Sequence, residues 1–218
     1  MSVFFSNSFR SLMILSVIAS SFIAVACSDD DDDDDTSQTS TSSGYEYVNL
    51  GLSVKWATVN IGASSPEDYG DYYAWGEITT KNSYTDDTSA TLGIYLADIA
   101  GFTKYDAARA IWGGKWRLPT YDELEELEDE CDWDWTTLND INGYEVTGPS
   151  GKSIFLPAAG GVVNTTMTAG TIGAYWGSST TEEDTDDKYA ACITFTKSTI
   201  DLGYYKRSVG RSIRPVRD

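Results

Sequence analysis

The C-terminal four-fifths of the chain alternates apolar and polar positions in short runs, each stopped by Gly, Asn or Pro. The runs YEYVNLG and SVKWATVNI predict a first pair of strands, and GDYYAWGE predicts another. Residues 79–100 are polar and aperiodic and predict a loop. YDAARAIWGG predicts a helix closed by Gly113 and Gly114. The strongest local signal is RLPTYDELEELEDEC, where Thr120 can cap a helix and Glu123 can reach back to the cap's N–H. Leu124, Leu127 and Cys131 recur at i, i+3 and i+7 and define one buried face. The carboxylates Glu125, Glu126, Glu128 and Asp129 fall mostly outside that stripe and form a solvated face.

Further along, GYEVTGPSGKSIFLPAAG predicts a hairpin turned at Gly148–Gly151. The GKS in that turn is not a phosphate loop. Val146 stands where the motif needs glycine, and a strand rather than a helix follows. The last third, through AYWGSST, KYAACITFT, DLGYYKR and SIRPVR, alternates strand and turn, with the acidic TEEDTDD between. Short strands with two helical stretches predict an α+β domain with helices set against small antiparallel sheets.

The N-terminal part follows a different rule. Residues 11–26 are an apolar run preceded by Arg10, shorter than the roughly 20 residues a spanning helix needs. They fit a signal-peptide core. Ala24-Val25-Ala26-Cys27 resembles the lipobox of bacterial lipoproteins, with Ala24 in place of the usual leucine. That resemblance implies acylation of Cys27 and removal of residues 1–26. Seven consecutive aspartates, Asp29 to Asp35, then a Ser/Thr-rich run extend to residue 44. Like charges so close repel and bury nothing, so residues 27–44 are expected to form an extended acidic tether to a single domain at 45–218. The only expected attachment to a membrane is the lipid.

The chain carries 15 basic and 34 acidic residues, a net charge of −19. Such an acidic chain repels nucleic acid, which needs a basic footprint. It has no histidine, which excludes Ser-His-Asp and Cys-His catalysis and most zinc enzymes. Besides Cys27 there are only Cys131 and Cys192, which in an exported protein either pair or stay free.

Several motifs occur together and in order: LGLSVKWATVNIGASSPEDYGDYYAWGE, WGGKWRLPTYDELEEL, GKSIFLPAAG, YWGSST and SIRPVRD. In this the chain resembles the Fibrobacter succinogenes major paralogous domain of Bacteroidota surface lipoproteins. That family is similar to the C-type-lectin-like fold and its formylglycine-generating branch. The resemblance implies a C-type-lectin-like domain with small sheets, two helices and long loops, and it implies no activity. The cysteine pair, the iron-binding histidines and the EPN, QPD and WND calcium signatures of the related activities are all missing from the sequence. Family members often carry cysteine where Val59 stands, opposite the position of Cys131. Without it, Cys131 either pairs with Cys192 or both thiols are free.

Seven Trp and fourteen Tyr are the chain's main resource for contact surfaces. Trp56, Trp75, Trp112 and Trp116 lie in the shared motifs and are expected in the core. The surface candidates are Tyr175, Tyr189, Tyr204 and Tyr205 with Lys206 and Arg207, because lectin-like folds build ligand surfaces from this region. The same stretch is similar to the variable region of retroelement-diversified lectin-fold proteins. Glu182, Asp184 and Asp186 in TEEDTDD are weak calcium candidates; the run lacks the alternation and central Gly of a calcium loop and reads first as a solvated turn. No cofactor is expected. The reading is a non-catalytic module on the cell surface that contacts a glycan or a protein. The alternatives are a structural envelope or fimbria-like component and, further off, a carboxylate-based glycan-active enzyme.

The acidic run after Cys27 resembles the export signal that sends lipoproteins to the outer face of the outer membrane. Protease added to intact cells should therefore remove the protein together with a known surface marker. Survival while the marker is digested would place it inside the envelope.

Overall fold

Strands are short here because turn residues interrupt each apolar run, so the chain builds several small sheets instead of one large one. The computed structural model describes residues 40–42, 44–181 and 183–218. The first strands are β1 (Ser40–Ser42), β2 (Tyr45–Val48) and β3 (Lys55–Ala57). Two helices follow, α1 (Ala107–Trp112) and α2 (Tyr121–Glu130). A meander then runs through β4 (Asp132–Leu138), β5 (Ile141–Thr147) and β6 (Ser153–Pro157). The remainder is β7 (Gly161–Val163), β8 (Thr166–Met167), β9 (Gly173–Trp176), β10 (Tyr189–Thr196), β11 (Thr199–Lys206), β12 (Gly210–Arg211) and β13 (Val216–Arg217). They form four antiparallel sheets, ordered β1-β2-β3-β13, β4-β5-β6, β12-β7-β8 and β11-β10-β9. With two short helices among them, the domain is α+β.

Two expectations change. Ser40–Ser42, inside the segment read as tether, pairs with Tyr45–Tyr47 as an edge strand, so the folded unit reaches beyond residue 45. GDYYAWGE is not a strand; Tyr73 makes one isolated bridge to Arg211 and the rest is turn. Its rings are buried without a ladder, because Tyr73 and Trp75 insert into the core from a loop. By contrast, β4 is a full strand in DWDWTTL, joined to β5 by a two-residue turn. Asn139 and Asp140 take positive φ there, as a type I′ turn requires.

Local chemistry sets the helix ends. Asp106 caps α1 by accepting from the Arg109 N–H, and Gly113 ends it at φ 69°, where a side chain would be strained. Asp106 is buried and also accepts from the N–H groups of Gly101 and Leu118. Burial pushes its carboxyl above the usual range, and those hydrogen bonds pull it back only in part. Thr120 and Glu123 form the reciprocal capping box on α2, and Glu123 also holds Arg117 through two contacts of 2.7 and 2.8 Å.

The β2–β3–β13 and β9–β10 ladders each serve two cores. Tyr47, Ala57, Ala174, Trp176, Ala190 and Cys192 face one core with Trp75, Trp112 and Trp116. Their neighbours Val48, Trp56, Val216, Tyr175, Ile193 and Phe195 face a second core with Leu124, Leu127, Tyr144 and Val146. Period-two alternation thus points successive apolar residues to opposite sides, which explains the near-continuous apolar run YAACITF. Trp56, Trp75, Trp112 and Trp116 are all in the core, as expected.

Arg214 joins these parts. It is 1 % exposed and has no carboxylate partner among the described residues. Its Nε donates to Asn60 Oδ1 (2.8 Å), and its terminal nitrogens donate to the carbonyls of Ala57, Thr58 (both 3.1 Å) and Phe155 (2.9 Å). Replacing it with methionine keeps much of the bulk but strands those acceptors in the interior. Arg214→Met should cost about 3–5 kcal/mol in urea unfolding, and Arg214→Lys somewhat less. A loss under about 1 kcal/mol for both would show that the joint is dispensable.

Candidate functional site

The C-terminal hairpin is an eight-residue ladder, β10 against β11, running from Tyr189 opposite Lys206 to Thr196 opposite Thr199. β11 is the edge strand of its sheet. Side-chain alternation puts Ile200, Leu202, Tyr204 and Lys206 on one face and Asp201, Gly203 and Tyr205 on the other. Ile200 and Leu202 pack on the second core, whereas Tyr205 packs on the first.

Tyr204, at the rim, is 37 % exposed, and its ring stacks on that of Tyr121, the first residue of α2. The centroids are 5.3 Å apart and the planes differ by 12°. Partial burial pushes both phenols above their usual pKa, and nearby carboxylates add to this: Glu125 and Asp122 for both, Glu128 and Asp201 for Tyr121, Glu183 for Tyr204. Both rings therefore stay neutral hydroxyl donors at physiological pH. Tyr189, 43 % exposed, begins β10 opposite Lys206, at the same end of the hairpin as Tyr204.

The other sequence candidates separate. Lys206 is half-buried and its Nζ lies 2.7 Å from Asp86, which also accepts from Ser208 Oγ. It is an anchor for the 86–88 turn. Tyr205 is half-buried, with its hydroxyl between Asp201 and Thr194 and its ring 4.8 Å from the Arg211 guanidinium. Tyr175 and Arg207 are corrections. Alternation in β9 points Tyr175 into the second core, 2 % exposed, where its hydroxyl donates to Pro157 O. Arg207 lies just past the end of β11 and turns inward, 1 % exposed, over the Trp75 ring. It donates to the carbonyls of Tyr189 and Ile94, so it fastens the 91–94 loop rather than facing a ligand. Tyr121 was not anticipated. The signal for it was its position three residues before Leu124, which places it at the end of the buried stripe, beside the sheet edge.

The acidic turn uses its own carboxylates. Asp184 accepts from the backbone N–H of Lys188 (2.6 Å) and Tyr189 (2.5 Å), and Asp186 pairs with Lys188. Cys27 and Glu182 lie outside the described residues. Among the described residues no three metal-binding side chains come together.

Cys131 and Cys192 are unpaired, which corrects the disulfide alternative. The physical reason is placement. Cys131 ends α2 beside the second core, and Cys192 is buried in the first. Burial pushes the Cys131 thiol up to about 11, with Glu126, Asp132 and Glu130 adding to the effect, so it is a poor nucleophile at neutral pH.

Against models of known protein families, characterised proteins and solved structures, the chain has no match.

A chain with Cys27→Ala, unfolded without reductant, should release two titratable thiols. In the native state both should react slowly at pH 7. One or no thiol after unfolding would mean that the two do bond.

Proposed function

We propose that this chain is a lipid-tethered, non-catalytic binding module on the outer surface of the cell, with a glycan or protein as ligand. The order of its motifs supports a domain of the Fibrobacter succinogenes major paralogous type, and the small antiparallel sheets with two helices are compatible with a C-type-lectin-like fold. Cys27 and the aspartates after it support the anchor and the outward address.

The observation that carries the reading is the stacked Tyr121–Tyr204 pair on an exposed sheet edge. Two rings fixed face to face offer flat apolar area with little conformational entropy left to lose, and their hydroxyls supply directional bonds at the rim. The support beneath is fixed as well: α2 is capped at both Thr120 and Glu123, and Arg207 and Lys206 fasten the loops beside the hairpin. Binding is then contact with a preformed surface and needs no bond-making.

A glycan array and a pull-down from the cell surface should return a ligand for the native chain. Tyr204→Ala should weaken its capture about 30-fold, the size of a contact hot spot, with an unchanged melting temperature. Full retention of binding in Tyr204→Ala and Tyr121→Ala would remove this surface from consideration. Turnover of a polysaccharide would replace the reading with an enzymatic one.

A further inference from the structure

A second concave site lies away from the tyrosine pair, on the outer face of the β4-β5-β6 sheet. Register places Asp134, Glu145 and Phe155 side by side across the three strands, and Thr136, Gly143 and Pro157 beside them. Gly143 is what makes the hollow. A Cβ there would lie 2.6 Å from the Phe155 ring, so the ring lies down over the bare backbone and is only 8 % exposed. The ring of Phe155, with Pro66 and Leu138, gives an apolar lining to a cavity of about 350 Å³. The opposite wall comes from the first sheet and its following turn, through Glu46 and Thr58. Beside the lining residues Pro66 and Leu138, Asn139 on the β4–β5 turn donates to Glu67 at 2.7 Å.

The polar lining of this cavity is one-sided. It consists of the carboxylates of Glu46 and Glu145 and the hydroxyls of Thr58, Thr136, Thr137 and Ser153, and among the described residues no lysine or arginine lines it. Glu145 accepts one hydrogen bond, from Ser153 Oγ at 3.0 Å, and neither glutamate has an ion-pair partner among the described residues. Carboxylates are acceptors only, and hydroxyls can accept as well. A sugar's hydroxyls can hydrogen-bond to this lining, but they bring no positive charge to the two carboxylates. An anion is repelled. An alkylammonium group has three donors, no acceptor and a positive charge, and its stem fits an apolar floor.

We infer that this groove is a binding site for a primary ammonium group on a short alkyl stem, held between Glu46 and Glu145 with the stem on Phe155. A cavity this size is at the small end of ligand pockets and suits one such group. The ammonium comes from a free small amine or from a lysine side chain. The site is independent of the tyrosine surface and stands or falls separately from it.

The test is isothermal titration of the full lipid-anchored chain in detergent with 1,5-diaminopentane and with Nα-acetyl-lysine methylamide. The neutral controls are 1,5-pentanediol and glucose. The amines should bind with Kd on the order of millimolar and the diol at least about tenfold more weakly. Glu46→Gln and Glu145→Gln should each weaken amine binding about tenfold, and raised salt should weaken it further. Both glutamates are exposed, so the melting temperature should hold. Thr136→Val, of nearly the same shape, gives an independent reading and should weaken binding by a few-fold. Tyr204→Ala should leave it unchanged. Binding of the acetylated lysine alone would assign the site to protein lysines, and binding of both amines to the free small-amine class as well. Equal affinity for the diol or glucose, no effect of either glutamate change, or no amine binding at about 20 mM would overturn the inference.

Discussion

One buried guanidinium holds this domain together. Arg214 reaches the end of β3 through the Ala57 carbonyl, the residue after it through Thr58 O, β6 through Phe155 O, and Asn60 through its Nε. Asn60 in turn donates to the Tyr69 carbonyl and lies 3.4 Å from the Tyr175 hydroxyl, which donates to Pro157. The joint is therefore a network in which every polar member has a partner, and such networks fix one arrangement of packed parts. Only arginine has the planar fork to serve four acceptors in different directions. Burial pulls its pKa down to about 10, so it stays charged at any physiological pH without a carboxylate beside it. The carbonyl oxygens it meets favour the charged form.

Arg207 does related work at the edge of the other core, with carbonyls as partners, Trp75 under the guanidinium and Asp187 at 4.0 Å. Arg211 sits between Trp176 and Tyr205, 5.0 and 4.8 Å from their rings. The C-terminal basic residues are thus mostly consumed as internal fasteners, and the acidic ones are left to the surface. The separation follows from geometry. An arginine can turn inward where strand ends present carbonyls, whereas a buried carboxylate needs several N–H donors converging on it. Asp106 has that arrangement, at the start of α1.

Features resting on local chemistry were legible in the sequence: the Thr120–Glu123 box, the α1 stop at Gly113, the β5–β6 hairpin and the burial of the motif tryptophans. What was not legible depends on which side of a strand faces which core. Tyr175 and Tyr205 differ by burial although both sit in aromatic C-terminal strands, because two cores on opposite sides leave no outward face for β9. Arg207 read as a surface cation because nothing local announces that Ile94 and Tyr189 will offer carbonyls from distant chain segments. β4 was missed although DWDWT alternates, since the alternation follows directly on an acidic helix, looks like its continuation and breaks at Thr136–Thr137.

The same geometry explains why so aromatic a chain has so little exposed ring area. A layered domain with two cores spends its tryptophans inside; Tyr95 and Phe102 are exposed on loops, and other exposed rings sit at a strand's outer end or a helix's first turn. Tyr204 and Tyr121 occupy those two positions and meet there. On the opposite kind of surface, the outer face of β4-β5-β6, a single missing side chain at Gly143 lets Phe155 lie flat and opens a hollow. The two concave or flat surfaces therefore arise from different causes: one from where alternation ends, the other from where a Cβ is absent. Both are rimmed by carboxylates while the C-terminal arginines Arg207, Arg214 and Arg217 are turned inward. The internal use of arginine and the negative character of the contact surfaces are thus two consequences of one partition of charge.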